Sequence, residues 1–140
     1  MKRHDYLIPF SRFHRSILFL ALIAKKNAPN VKGYPSKLED KVDYALSFYQ
    51  NELCNHFEVE EKEVFNRFFN LNDEVDLLIN EIKLERENIC KMFELLKQKP
   101  RDFDNFHKLG ALLEKHVRKE ERQLFQLLQA KLESELNKAG

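Results

Sequence analysis

The chain has 140 residues, and its 24 Lys and Arg side chains nearly balance its 23 Asp and Glu side chains, for a formal net charge of +1. This balance excludes the strong positive charge of proteins that bind nucleic acids or anionic membrane surfaces. With only 3 Gly and 4 Pro, the composition predicts long helices within a single domain over residues 1–140.

Breaks in the sequence separate four predicted helices. The first break covers residues 26–36, the second residues 70–72, and the third surrounds Pro100. Asn72 is a suitable N-cap for the third helix. Every helical segment carries apolar residues at three- and four-residue spacings, which is typical of a helix that buries one face. The predicted fold class is therefore all-α, an antiparallel up-down four-helix bundle.

The sequence indicates neither a membrane span nor secretion. Its longest apolar run, residues 17–24, is too short to cross a bilayer and lacks the small-residue cleavage site of a secretory signal. Two cysteines, Cys54 and Cys90, are too few for a disulfide framework. We therefore expect a cytoplasmic protein with free thiols, and no nucleic-acid or membrane partner.

Polar residues interrupt the apolar stripe of each predicted helix. In chain order they are His14 in the first helix, His56 and Glu60 in the second, Arg86 in the third, and His116 and Glu120 in the fourth. Burying a carboxylate without a partner costs several kcal/mol. The pattern therefore predicts that these carboxylates share a positively charged partner inside the bundle.

Residue counting places the polar residues of the last three helices at one height. His56 and Arg86 both lie 15 residues from Leu71, in the second break. Arg86 and His116 both lie 15 residues from Arg101, in the third break. Because each helical residue rises about 1.5 Å, equal counts on antiparallel helices give equal heights. The counts predict a single polar layer.

The second and fourth helices also share a motif at an offset of 60 residues. Residues 53–65 and 113–125 both read L-x-x-H-x-x-x-E-E-x-x-[VL]-F. A His and a Glu four residues apart lie on one helix face, one turn apart. Two such helices facing each other would bring imidazoles and carboxylates to one point, a donor set suited to Fe, Mn or Zn. Bundle cores are where di-iron carboxylate sites are built.

At these residues the sequence resembles the hemerythrin-like, HHE cation-binding family, over about residues 6–132. The segment F-S-R-F-H-R of residues 10–15 is similar to the first His motif of that family, and the two repeated segments are similar to its second and last motifs. The resemblance implies a centre of one or two non-heme iron ions in a protein that binds or senses O2 or NO, or stores or senses iron. Few members are catalysts, so we expect a non-enzymatic sensor or carrier. The implied metal ligands are His14, His56, Glu60, His116 and Glu120.

The third helix departs from the family pattern. A His commonly follows a Glu there, but here Glu85 is followed by Arg86, whose guanidinium cannot bind a metal. In one interpretation a reduced site holds one ion or an unequal pair, with Arg86 turned aside and Glu85 able to ligate. In the other, Arg86 replaces the metal and binds Glu60 and Glu120, leaving a metal-free bundle with a structural or interaction role. A third interpretation is a redox enzyme, peroxidase-like or NO-reducing, which would need an open coordination position.

Three further groups of residues receive structural interpretations. Glu61 and Glu121 follow the candidate ligands and are predicted to be solvated charges rather than acceptors behind the site. The two cysteines are predicted to be buried structural residues. His4 and His107 are predicted to lie at the surface, away from the polar layer.

Overall fold

The computed structural model describes the backbone of residues 3–139 and the side chains of residues 3–134. Over the described residues the chain folds into four helices and contains no strand, which confirms the predicted all-α bundle. Helix α1 is Ile8–Ala24 and helix α3 is Asp73–Gln98. Helix α2 covers residues 38–68 and helix α4 covers residues 103–139. Among these helices none combines the length and apolarity needed to cross a membrane.

Short capping side chains begin the third and fourth helices. Asn72 accepts a hydrogen bond from the backbone N–H of Val75 at 2.9 Å and caps α3, as predicted. Asp102 accepts one from the backbone N–H of Asn105 at 3.1 Å and caps α4. Asn70 has a φ of 72°, a left-handed conformation that Asn tolerates well in a tight turn. The two links are so short that α2, α3 and α4 run antiparallel.

The apolar core consists of two clusters with the polar residues between them. One cluster contains buried apolar side chains from residues 17–24 of α1, 42–57 of α2, 89–96 of α3 and 106–117 of α4. The other contains residues 7–10, 64–68, 75–82 and 124–132. The intervals between the clusters fall at the same level in all four helices, and the buried polar residues lie in or beside those intervals. The bundle therefore holds one polar layer, as residue counting predicts.

Helices α1 and α4 approach each other closely at Gly110. A Cβ atom at this position would lie 2.9 Å from Cβ of Ala24 and 3.0 Å from the backbone oxygen of Ala21. Neither atom is at the end of a flexible side chain, so any larger residue would push the helices apart. The absence of a side chain at Gly110 thus sets the distance between the two helices that carry His14 and His116.

We expect Gly110→Ala to lower the free energy of unfolding by about 1 kcal/mol. Overpacking a close contact costs about 1–3 kcal/mol, and the better helix propensity of Ala returns about 1 kcal/mol. Urea denaturation of the metal-free protein measures the difference. Ala111→Gly, at the exposed neighbouring position, reports the propensity alone. A gain in stability for Gly110→Ala would contradict the close packing of α1 on α4.

Candidate metal centre

The structure brings together all five predicted ligands and Arg86 in the polar layer. Their exposed fractions are 2% for His14, 8% for His56, 0% for Glu60, 7% for Arg86, 1% for His116 and 0% for Glu120. Such burial of charged and polar side chains is rare unless they are paired. Metal binding by these five residues stays a prediction. The distances between their side chains show how well they would suit a metal ion.

The two carboxylates lie in the middle of the three imidazoles. Oε2 of Glu60 is 3.4 Å from Nε2 of His56 and 3.7 Å from Nε2 of His14. Oε2 of Glu120 is 3.1 Å from Nε2 of His14, and Oε1 of Glu120 is 2.9 Å from Nε2 of His116. His14 therefore faces both carboxylates, whereas His56 and His116 each face the carboxylate one turn along their own helix.

Arg86 reaches the same two carboxylates from α3. Its Nη2 contacts Oε1 of Glu60 and lies 3.1 Å from Oε1 of Glu120, and its Nη1 donates to the carbonyl oxygen of Phe57 at 3.0 Å. The guanidinium carbon lies 4.3 Å from the ring centroid of Phe57 and 4.4 Å from that of Phe65. The side chain thus points into the bundle and contacts both carboxylates, as the interpretation of Arg86 as a replacement for metal predicts.

Several buried atoms of the layer have no hydrogen-bond partner among the described residues. They are Nε2 of His56, Oε2 of Glu60, Nε of Arg86, Nε2 of His116 and Oε2 of Glu120. His116 illustrates the point, since its Nε2 is near Glu120 but the two groups are not aligned for a hydrogen bond. Unpaired buried nitrogen and carboxylate oxygen atoms are costly unless a cation binds them.

Three of the ligand atoms are also close enough to share one ion. His14, His56 and Glu60 each offer an atom within 4.8 Å of the other two. Two imidazole nitrogens and a carboxylate oxygen are donors that Fe, Mn and Zn accept. The residues present therefore fit at least one transition-metal ion.

A comparison with protein families agrees with this chemistry. The family model described as Hemerythrin HHE cation binding domain matches residues 11–128. The chain belongs to this family. No curated protein and no solved structure matches the chain significantly. The matched span of the HHE domain includes both copies of the repeated motif and Arg86, so the departure in α3 lies inside the family domain.

Glu121 supports His14 from behind the HHE centre. Its Oε1 lies 3.0 Å from Nδ1 of His14, and its Oε2 accepts hydrogen bonds from the Ser11 hydroxyl at 3.1 Å and from Arg3 at 2.9 Å. The prediction that Glu121 is a solvated charge is therefore wrong. Its equivalent in the repeat, Glu61, is exposed as predicted, and its carboxylate lies 3.7 Å from the ammonium of Lys83. The repeated motif by itself gives no signal that separates the two.

Glu85 supports His116 in the same manner. Its Oε1 lies 3.2 Å from Nδ1 of His116, and its Oε2 accepts from the ammonium of Lys119 at 2.8 Å. Histidines that bind metals commonly donate their second ring N–H to a carboxylate, which fixes the tautomer and the ring orientation. Glu85 is thus placed beside a candidate ligand rather than among the ligand atoms of His14, His56 and Glu60.

A π-helical turn accompanies each copy of the repeated motif. One turn is Glu61–Phe65, directly after Glu60, and the other is Glu120–Leu124. Four residues of a regular α-helix rotate about 40° beyond one full turn, so repeated four-residue steps drift off the inner face. The wider π turn removes that drift. These turns were not predicted, although the sequence carries a signal for them. The signal is the successive four-residue steps from each His to its Glu and on to the next buried apolar residue.

The two carboxylates of the HHE centre differ in charge. Burial and the neighbouring Glu120 raise the pKa of Glu60 to about 8. Burial also acts to raise the pKa of Glu120, but Arg86 and His116 outweigh it and hold that pKa well below its usual range. The surroundings therefore favour the negatively charged form of Glu120 and disfavour that of Glu60.

The imidazoles of His14 and His56 also differ. Burial acts to lower the pKa of His14, but Glu120 and Glu121 outweigh it and raise that pKa to about 10. Burial and the adjacent His14 lower the pKa of His56 to about 3. His14 is thus positively charged and His56 is neutral at physiological pH, with Nε2 of His56 facing Glu60.

The remaining histidines and cysteines lie outside the centre. His4 accepts a hydrogen bond from the backbone N–H of Tyr6, and His107 accepts one from that of Lys26, away from the polar layer as predicted. Cys54 is exposed, so the prediction that both cysteines are buried is wrong for it, and Cys90 is half-buried. Both cysteines line a surface cleft of about 710 Å³ between α2 and α3 that reaches Arg86.

We expect Arg86→Met to lower the free energy of unfolding of the metal-free protein by about 3–5 kcal/mol, because Glu60 and Glu120 lose the cation between them. Urea denaturation in the presence of chelator measures the loss. The control Lys83→Met removes an exposed pair with Glu61 and should change stability by at most about 1 kcal/mol.

A second variant keeps this prediction testable if Arg86→Met fails to fold. Adding Glu120→Gln removes one of the two unpaired charges and should restore part of the stability. An unchanged unfolding midpoint in Arg86→Met would show that the contacts of Arg86 do not stabilise the centre.

Proposed function

We propose that this HHE domain binds non-heme iron and acts as a non-enzymatic sensor or carrier of O2, NO or iron. The observation that supports it most is that the buried Nε2 of His56 and Oε2 of Glu60 have no hydrogen-bond partner among the described residues and lie close enough to His14 to share an ion with it. Membership of a cation-binding family supports the same proposal. Burial of these donors without a cation would leave their desolvation uncompensated.

In this proposal the three imidazoles and two carboxylates have distinct roles. His14, His56 and His116 would offer ring nitrogens, and Glu60 and Glu120 would cap or bridge the metal. Nδ1 of His14 donates to Glu121, and its Nε2 lies 3.1 Å from Glu120, so this nitrogen would lose its proton and offer its lone pair when a metal binds. Iron, when bound, would supply a redox-active ion to which a diatomic molecule can attach.

The surroundings of His56 suit a small uncharged ligand. A cleft of about 330 Å³ between α1 and α2 is lined by the aromatic rings of Phe10 and Phe13, by His56, and by polar residues that include Glu52. The ring of Phe13 stacks on His56 at a centroid distance of 4.1 Å, and apolar clusters lie on both sides of the layer. Apolar walls favour neutral molecules such as O2 or NO over charged substrates.

The location of the protein is part of the same proposal. Cys54 and Cys90 are free thiols, and free thiols are typical of a reducing compartment. We place the protein in the cytoplasm on this ground.

The contacts of Arg86 support a second candidate function. Its guanidinium binds Glu60 and Glu120 directly, which is the arrangement expected of a metal-free bundle with a structural or interaction role. The two candidates differ in one measurable respect. The iron protein gains stability from metal at its centre, and the metal-free bundle does not.

We expect the purified protein to take up iron when reconstituted with Fe²⁺ without oxygen, and chelator to lower its melting temperature. Ligand at 100 times its dissociation constant adds about 2.7 kcal/mol to the free energy of unfolding. Metal analysis and thermal unfolding measure the two effects, with His56→Ala as the control that should lose both. Less than about 0.1 iron per chain would fit the metal-free candidate and reject the iron protein.

We expect Glu121→Ala to weaken iron binding by about 10–100-fold, because His14 loses the carboxylate that orients its ring. The matched control is Glu61→Ala, the equivalent position of the repeat, where the carboxylate is exposed and binding should not change. Competition with a chelator of known affinity measures both. Equal affinities in the two variants would argue against a positioning role for Glu121.

A further inference from the structure

The polar layer has two halves, one around Glu60 and one around Glu120, and they differ in the groups that face the carboxylate. In the half formed by His14, His56 and Glu60, Oε2 of Glu60 faces two imidazole nitrogens and makes no hydrogen bond within the described structure. In the half formed around Glu120, Oε1 lies 3.1 Å from Nη2 of Arg86 and 2.9 Å from His116. Arg86 contacts Oε1 of both carboxylates. In the first half, called the open half below, it leaves Oε2 of Glu60 facing the nitrogens of His14 and His56.

We propose that the centre takes one metal ion, held by His14, His56 and Glu60, and that the guanidinium of Arg86 fills the place of a second cation between Glu60 and Glu120. This one-ion centre depends on the metal binding proposed above. It departs from the two-ion centre that family resemblance implies, and it narrows the ligands given above, since His116 and Glu120 then belong with Arg86 and not with the metal.

The distances in the open half suit a single ion. Donor atoms about 2.1 Å from one metal ion stand roughly 3.0–3.4 Å apart at octahedral or tetrahedral angles. Nε2 of His56 and Nε2 of His14 lie 3.4 and 3.7 Å from Oε2 of Glu60. Both distances lie within a few tenths of an ångström of that range, and the three ligand atoms all lie within 4.8 Å of one another.

The contacts of Arg86 keep the other half closed to a metal. Its Nη2 touches one oxygen of Glu60 and one of Glu120, the two atoms that a bridging second ion would use. The carbonyl oxygen of Phe57 and the faces of Phe57 and Phe65 hold the guanidinium in place. A guanidinium does not lose its proton, so it cannot turn into a ligand.

The charges of the buried residues also limit the centre to one metal ion. Glu60 and Glu120 carry at most two negative charges between them, and both lie at 0% exposure. One divalent ion and Arg86 bring three positive charges, whereas two divalent ions and Arg86 bring five. Repulsion among like charges inside an apolar bundle strongly disfavours the second case.

Counting bound ions tests the proposal directly. Metal-free protein is titrated with Fe²⁺ without oxygen, and separately with Co²⁺, and native mass spectrometry counts the ions on each chain. We expect the wild type to saturate at one ion, Arg86→Lys to stay at one because it keeps the charge, and Arg86→His to reach two. A wild type that saturates at two, or an Arg86→His that stays at one, would overturn the proposal.

Two single substitutions locate the ion. We expect His56→Ala to lose it and His116→Ala to keep it, because only His56 belongs to the open half. Loss in His116→Ala with retention in His56→Ala would reverse the assignment and overturn the proposal. If Arg86→His does not fold, the wild-type count and these two variants still decide the matter. A wild type that binds no ion would instead reject the proposed function itself.

Discussion

Two carboxylates buried in an apolar bundle create the requirement that the rest of the structure meets. Glu60 and Glu120 have no exposed surface, and an uncompensated carboxylate in such surroundings costs several kcal/mol. Every helix contributes a group that can pair with these carboxylates. Helices α1, α2 and α4 each supply an imidazole, and α3 supplies a guanidinium. The packing of the four helices therefore also determines which groups meet at the site.

The bundle keeps these groups in register through features on both sides of the layer. Apolar clusters above and below the layer fix the heights of the helices, and Gly110 fixes how closely α4 approaches α1. The π turns after Glu60 and at Glu120 keep the following apolar residues on the inner face. Each π turn also interrupts the regular hydrogen bonding of its helix. Such turns are frequent at functional sites.

The parts of the molecule that depend on local sequence patterns and on residue counts along the helices could be predicted from the sequence. The breaks, the Asn72 cap and the apolar spacings specify the four helices, because each signal lies within a few residues of the feature it predicts. Equal residue counts around two short links then place His56, Arg86 and His116 at one level. This placement requires only that neighbouring helices run antiparallel.

The features that were missed depend on residues far apart in the chain. Glu121 is held by Ser11 and Arg3, which are 110 and 118 residues away, so its motif cannot distinguish it from exposed Glu61. The sequence left the direction of Arg86 open between two interpretations, because it depends on Phe57 and Phe65 across the α2–α3 contact. The exposure of Cys54 likewise depends on which face α2 turns towards its neighbours. Such outcomes require the packed structure.

The short segment before α1 is a structural part of the centre. Arg3 donates to the carboxylate and the backbone carbonyl of Glu121, and the backbone N–H of His4 donates to Gln129 at 3.0 Å. A single carboxylate, that of Glu121, therefore connects this segment to the ring of His14. A purification tag or fusion partner joined ahead of Arg3 lies within a few residues of that connection. Recombinant versions with their tags at the opposite end of the chain would preserve the native environment of His14 in spectroscopic work.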